Sequence, residues 1–72
     1  MKSAIGIREH NILLLLRDGE TPKTIAPMLG ISVSTVKFYC RVLYARLGAN
    51  NACHAVVLAL RAGWITLGEE QR

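Results

Sequence analysis

An all-α fold of four short helices is predicted by three features of this 72-residue sequence. Apolar residues recur at intervals of three and four, the spacing that lines one face of a helix. Glycines follow these periodic stretches, where they can adopt the left-handed conformation that closes a helix. Serine, threonine and asparagine precede them, where their side chains can accept hydrogen bonds from free backbone amides. The length allows one domain with a modest core.

The first helix is predicted to run from about Ile7 to Arg17 and to end at Gly19. Its inner face is predicted to consist of Ile5, Ile12, Leu15 and Leu16. Leu14 falls on the opposite side of the helix, so we expect its side chain to be exposed.

The second helix is predicted from about Pro22 to Leu29, with Thr21 as its N-cap. Proline has no backbone N–H, but in the first turn of a helix that N–H would have no partner within the helix, so proline is well tolerated there. The inward residues are Ile25, Ala26 and Leu29. Pro27 removes one internal hydrogen bond, which should shorten or bend the helix.

The third helix is predicted between Ser32, its N-cap, and Gly48, and Gly30 closes the helix before it. One face carries the apolar residues Val36, Cys40, Leu43 and Leu47. The opposite face carries Ser34, Phe38, Arg41 and Ala45, with Lys37 on its flank. A helix with one buried face and cations on the other is typical of the second half of a helix-turn-helix, which enters the DNA major groove.

The fourth helix is predicted from a cap at Asn50 or Asn51 to about Ala62, where Gly63 ends it. Its inward residues are predicted to be Cys53, Val56 and Leu60, and its outward residues His54, Leu58 and Arg61. A short polar tail occupies residues 68–72.

The net charge is +4, and its distribution points to an anionic partner. Residues 21–68 contain no Asp or Glu, but they contain Lys23, Lys37, Arg41, Arg46 and Arg61. A solvated surface usually mixes both signs, so a stretch of one sign indicates contact with phosphates. The lack of carboxylates also removes the commonest general bases, and no Gly-rich phosphate loop is present, so we do not expect an enzyme.

Cys40 and Cys53 are both predicted to face inward, as reduced thiols of a cytoplasmic protein. The alternative is a zinc site shared with the two histidines, but the sequence has no closely spaced Cys or His pair to support it. The longest aliphatic run, Leu13–Leu16, is too short to cross a membrane. We therefore expect no metal, cofactor, small-molecule ligand or membrane among its partners.

A series of short motifs, taken in order, resembles the DNA-binding domain of the LuxR/GerE family of bacterial transcription regulators. The similar segments are Arg8-Glu9, Lys23-x-Ile25-Ala26, Leu29-Gly30-Ile31-Ser32, Thr35-Val36-Lys37, Leu47-Gly48, Ala55-Val56 and Gly63-Trp64-Ile65. The resemblance covers about residues 5–67 and implies one domain that fills residues 1–72, free-standing and without a signal-input domain. Phe38 after Lys37, and the ending Ile65-Thr66-Leu67, resemble most closely the quorum-sensing branch.

The sequence also departs from the pattern of that family. Thr24 stands where the family usually has Glu, Tyr39 stands where His is usual, and Arg46 replaces a Lys while keeping its charge. Leu14, Val42 and Leu58 occupy positions that are normally polar, and we expect all three to be exposed.

Together, the residues and the resemblance imply that the chain binds double-stranded DNA through Lys23, Ser34, Thr35, Lys37, Phe38, Arg41 and Arg46. We expect Lys23 and Arg46 to contact phosphates. Lys37 is expected to contact a phosphate or the edge of the groove; the alternative is a lysine that contacts only solvent. Arg41 suits a guanine or a phosphate. Thr35 suits the DNA or only the helix start, and Phe38 suits a thymine methyl group or a protein partner.

The resemblance also implies a homodimer through the fourth helix, with His54, Val57, Leu58 and Arg61 at the interface. Two recognition helices would then favour a roughly palindromic DNA site. The alternative function is a protein-binding modulator that pairs with a full-length LuxR-type regulator and blocks its DNA binding. That alternative depends on the exposure of Leu14, Val42, Phe38 and Leu58.

Overall fold

The computed structural model describes residues 5–70 and contains four helices and no strand in that range. The helices are α1 (Ile7–Arg17), α2 (Pro22–Leu29), α3 (Val33–Leu47) and α4 (Ala52–Ala62). The predicted all-α fold is confirmed, and the helix bounds agree with those expected from the capping residues. The last two residues of the predicted polar tail lie outside the described range. No helix between residues 5 and 70 has both the length and the apolarity needed to span a bilayer.

The turn between α2 and α3 sets the direction of α3. Gly30 adopts a left-handed conformation with φ of 70°, and the amide of Ile31 donates to the carbonyl of Ala26 over 3.0 Å. Glycine is suited to this position because other residues pay about 1–2 kcal/mol for the left-handed conformation. Ser32 then starts α3, since its Oγ accepts a hydrogen bond from the amide of Thr35 at 3.0 Å. The two helices pack against each other across this turn.

The start of α2 is held by two threonines. Thr21 Oγ1 accepts from the amide of Thr24 at 3.4 Å, and Thr24 Oγ1 accepts from the amide of Thr21 at 2.9 Å. This reciprocal pair is a capping box, so Thr24 performs the capping that a glutamate usually provides at this position. The helix continues for two residues beyond Pro27, and its length of eight residues agrees with the predicted shortening.

The core is centred on α1, and the expected exposure of Leu14 is wrong. Every residue from 11 to 16 is buried, and Leu14 is 0% exposed. A single inner face is expected only for a helix that is packed on one side. Here α3 and α4 both contact α1, and the segment after α4 returns across it. The middle of α1 is therefore enclosed on all sides.

The returning segment is held by polar side chains on either side of Leu14. Arg17 Nη1 donates to the carbonyl of Thr66 at 2.8 Å and to that of Glu69. His10 Nε2 lies 2.9 Å from Glu69 Oε2, so His10 has a partner that its sequence context does not indicate. His10, Leu14 and Arg17 are spaced by four and three residues and so share one face of α1. The docked segment thus explains why that face is buried.

Helix α4 turns a different face inward from the one predicted. Ala55 and Ala59 are fully buried, whereas Val56 and Leu60 are only partly buried and Cys53 is exposed. Two alanines one turn apart let the backbone of α4 approach its neighbours closely, so the small residues occupy the line of contact. The prediction of buried thiols is confirmed for Cys40 and is wrong for Cys53; both cysteines are free.

Candidate nucleic-acid interface

The outer face of α3 comprises Ser34, Lys37, Phe38, Arg41 and Ala45, and all five side chains are exposed. The inner face is equally well defined, because Val36, Cys40 and Leu43 are buried. This arrangement confirms the two faces predicted for the helix. With 15 residues, α3 is about 22 Å long, which exceeds the width of about 12 Å of the DNA major groove.

The cations of this outer face are not neutralised by the rest of the described chain. Neither Lys37 nor Arg41 forms an ion pair with any residue between 5 and 70. Acidic side chains instead lie on the α1 side of the molecule, where Asp18 pairs with Arg17 and Glu69 pairs with His10. The charge separation seen along the sequence is therefore also a separation in space, and it leaves α3 with a positive face.

The inner side of α3 carries no charge at neutral pH. Burial raises the pKa of the Cys40 thiol, although a hydrogen bond with Tyr44 opposes this shift. Burial and the neighbouring Cys40 raise the pKa of the Tyr44 hydroxyl to about 12. Among residues 5–70, no three His, Cys, Asp or Glu side chains lie close enough together to hold a metal ion.

The two hydroxyl side chains in the first turn of α3 differ in their surroundings. Ser34 is exposed on the outer face. Thr35 is partly buried, and its Oγ1 lies 2.8 Å from Ser32 Oγ. This contact supports the helix start and leaves Ser34 as the more accessible hydroxyl for a ligand.

Two further exposed cations lie on α2 and α3 outside this outer face. Lys23 is exposed in the first turn of α2, the helix that packs against α3. Arg46 is exposed in the last turn of α3, about 18 Å along the axis from Ser34. Cations at the edges of a groove-binding helix are suited to phosphates, because the phosphates border the groove.

Phe38 is 53% exposed, and its ring contacts that of Tyr39 edge-on, with centroids 5.8 Å apart and planes at 64°. Tyr39 is partly buried and packs against the core. In the sequence, Tyr39 is notable only because it stands where the family usually has His. Its contact with Phe38 leaves no periodic signal, because neighbouring residues of a helix point about 100° apart.

The face of α4 predicted as a dimer interface is only partly open. Val57 is 41% exposed and Arg61 is exposed, but His54 and Leu58 are partly buried. His54 Nδ1 accepts a hydrogen bond from the amide of Asn50 at 3.1 Å, so the ring has a partner within the chain. The expected exposure of Leu58 is therefore wrong. Helix α4 packs closely on its neighbours along Ala55 and Ala59, and this packing also covers part of the adjacent Leu58 side chain. Val57 is the more accessible apolar residue.

Val42 is also partly buried rather than exposed. Of the four apolar residues on which the protein-binding alternative depends, Phe38 alone is exposed. The apolar surface available to such a partner is therefore smaller than the sequence predicts.

Comparison with known proteins matches residues 5–59 to the family described as "Bacterial regulatory proteins, luxR family". One relative is the transcriptional activator protein EsaR of Pantoea stewartii subsp. stewartii, which is 39% identical over 59 residues, 82% of this chain and 24% of EsaR. This chain spans about a quarter of the length of the curated relatives that it matches.

Two solved structures of VqmA share the fold. The Vibrio cholerae VqmA dimer without target DNA aligns with a TM-score of 0.77 and 37% identity, over 83% of this chain and 27% of that chain. A VqmA–ligand–DNA complex aligns with a TM-score of 0.78 and 34% identity, over 89% of this chain and 28% of that chain. With a family match over most of its length, this chain belongs to the luxR family of bacterial transcription regulators, which are not enzymes.

Proposed function

We propose that this chain binds double-stranded DNA by inserting α3 into the major groove, and that it regulates transcription in the bacterial cytoplasm as a homodimer. The observation that carries the proposal is the outer face of α3, which is exposed, cationic and free of ion pairs with residues 5–70. A quorum-sensing role, indicated by Phe38 after Lys37, remains a prediction.

The relatives support the DNA-binding part of the proposal. EsaR is named a transcriptional activator, and one VqmA structure is a complex with DNA. The matched region is the part that this chain shares with both proteins.

Each cation has a proposed role that follows from its position. Arg41, in the middle of the outer face, reads a base edge, and Lys37 contacts the groove edge or a phosphate. Lys23 and Arg46, at the flanks, hold phosphates and set the register without reading sequence. Ser34 donates to a base or phosphate, and Thr35 orients the first turn.

A fluorescence titration with duplex DNA across a salt series tests the proposal. Three phosphate contacts for each chain, from Lys23, Lys37 and Arg46, predict a slope of log K against log salt of about −3 per chain. Arg8→Ala is the matched control for Lys37→Ala, because Arg8 is an exposed cation on α1 rather than on α3. We expect Lys37→Ala to weaken binding and flatten the slope, and Arg8→Ala to change neither beyond its small effect on net charge.

Absence of binding at low salt, or an affinity that does not change with salt concentration, would contradict the DNA-binding proposal. The protein-binding alternative predicts the first of these results. It further predicts that the chain captures a full-length LuxR-type regulator and prevents that regulator from binding its own DNA site.

Dimerisation is proposed because one domain of this size makes few contacts, and two linked half-sites raise the affinity. The solved VqmA dimer supports pairing among proteins with this domain. On α4, His54, Val57, Leu58 and Arg61 follow the spacing that lines one helix face. In a two-fold contact each of these residues meets the same face of the partner, so a single substitution acts twice.

We expect Val57→Glu to raise the dissociation constant of the dimer at least about tenfold, because it brings two like charges together in an apolar contact. Binding to a palindromic duplex should weaken in parallel, and binding to a single half-site should change little. Sedimentation equilibrium measures the first effect. Ile7→Glu is the control, since it adds the same charge at an exposed apolar position on α1 rather than on α4.

Cys53 offers an independent test of the same interface. It is exposed one turn before Val57, whereas Cys40 is buried, so a short bis-maleimide reagent reacts through Cys53. Crosslinked dimers should form with the wild-type chain and disappear with Val57→Glu. A dimer that survives Val57→Glu in both measurements would place the interface elsewhere.

A further inference from the structure

Phe38 is an apolar residue in polar surroundings. Of the large exposed apolar side chains between residues 5 and 70, Phe38 alone lies on the outer face of α3. Ser34 lies one turn before it and Arg41 one turn after it on the same face. The ring therefore faces whatever ligand the neighbouring hydroxyl and guanidinium groups contact.

The chemistry of the major groove limits what such a ring can recognise. A phenyl ring has no donor or acceptor for base edges, and it does not bind phosphate. The apolar group that the groove presents is the C5 methyl of thymine, which cytosine lacks. A phenyl ring held against the groove floor thus distinguishes thymine from the other bases.

The contact with Tyr39 restricts the Phe38 ring before any ligand arrives. Tyr39 is anchored because it is partly buried and packs against the core, and its ring meets that of Phe38 at 5.8 Å. Edge-to-face contact between aromatic rings is favourable beyond simple burial. A side chain that is already ordered loses less freedom on binding, so the contact favours recognition.

We propose that Phe38 reads the C5 methyl group of a thymine, and that Tyr39 is the positioning residue that holds the Phe38 ring for this contact. The inference rests on the proposed function, in which α3 enters the major groove. A protein partner is the less favoured ligand, because one ring bordered by exposed polar and cationic residues is far smaller than a stable protein interface.

The test uses removal of the thymine methyl groups alone. Duplexes that the wild-type chain selects from a randomised pool are amplified with either dTTP or dUTP, which leaves base pairing unchanged. We expect the wild-type chain to bind the uracil form about fourfold more weakly for each methyl group contacted, the affinity that one buried methyl group provides.

Substitutions of Phe38 and Tyr39 test whether these two rings cause the difference in affinity between the thymine and uracil forms. Phe38→Ala should bind both forms almost equally, and Tyr39→Leu should lower the ratio while retaining most affinity for the uracil form. Tyr39→Phe keeps the ring edge and should retain the wild-type ratio, a rescue that a general loss of packing does not predict. Ile7→Ala is the control, because Ile7 is an exposed apolar residue on α1. Circular dichroism verifies that each variant is folded.

The outcomes separate the inference from the function on which it rests. DNA binding with equal affinity for the thymine and uracil forms overturns the inference and leaves the proposed function intact. A ratio that persists in Phe38→Ala also overturns it, by assigning the methyl contact to another residue. Absence of DNA binding at low salt overturns both, and Phe38 then becomes the first residue to test for a protein partner.

Discussion

Replacing Leu14 with alanine is expected to lower the free energy of unfolding by about 2–5 kcal/mol. The side chain is completely buried in the middle of α1, so truncation removes its transfer free energy and leaves a cavity. A domain of this size has a stability of about 4–11 kcal/mol, and the variant should lose a large share of it. Urea denaturation followed by circular dichroism measures the change.

Ile7→Ala provides a matched control in the same helix. Ile7 is 71% exposed, so its truncation should change the free energy of unfolding by less than about 0.5 kcal/mol. If Leu14→Ala were as mild as Ile7→Ala, the side chain would be solvent-exposed as the sequence predicts, and the docked segment after α4 would not cover it.

The helix bounds were predictable because their determinants are local. Thr21, Ser32 and Asn51 cap their helices through their own side chains, and Gly30 and Gly48 adopt the left-handed conformation after them. None of these features depends on how the helices are arranged. The sequence pattern therefore indicates where each helix begins and ends.

The buried faces of α1 and α4 were less predictable because they depend on tertiary contacts. The periodic pattern cannot show that Arg17 and His10 hold a returning segment over Leu14, since their partners Thr66 and Glu69 lie 49 and 59 residues further along the chain. In α4 the pattern favours large apolar residues as the inward ones. The contact line is instead formed by Ala55 and Ala59, which permit close packing because they are small.

The outer face of α3 was predictable for the opposite reason. This helix is packed on one side only, so the helical period separates buried Val36 from exposed Lys37 and Arg41. The acid-free stretch of the sequence reinforced that prediction. The roles of Tyr39 and Thr35 depend on contacts with single neighbours, and residue spacing carries no signal for such contacts.

Arg41→Ala is expected to weaken binding to the preferred DNA site by about 1–3 kcal/mol, or roughly 5- to 150-fold in Kd. Arg41 is exposed in the middle of the outer face and forms no ion pair with residues 5–70, so its guanidinium is available for a bidentate contact with guanine. Affinity for unrelated duplexes should fall much less. Anisotropy titrations on the selected site and on a scrambled duplex measure both effects.

Arg41→Lys separates base reading from simple charge. Lysine keeps the positive charge but lacks the planar fork that contacts two acceptors of one guanine. If Arg41 reads a base, Arg41→Lys should lose most of the preference for the selected site and keep the salt dependence of the wild-type chain. If Arg41 instead holds a phosphate, Arg41→Lys should restore binding, and Arg41→Ala should weaken binding to all duplexes alike while reducing the salt slope by about one per chain. The second pattern would leave base recognition to Ser34, Lys37 and Phe38, the other exposed side chains near the start of the same face.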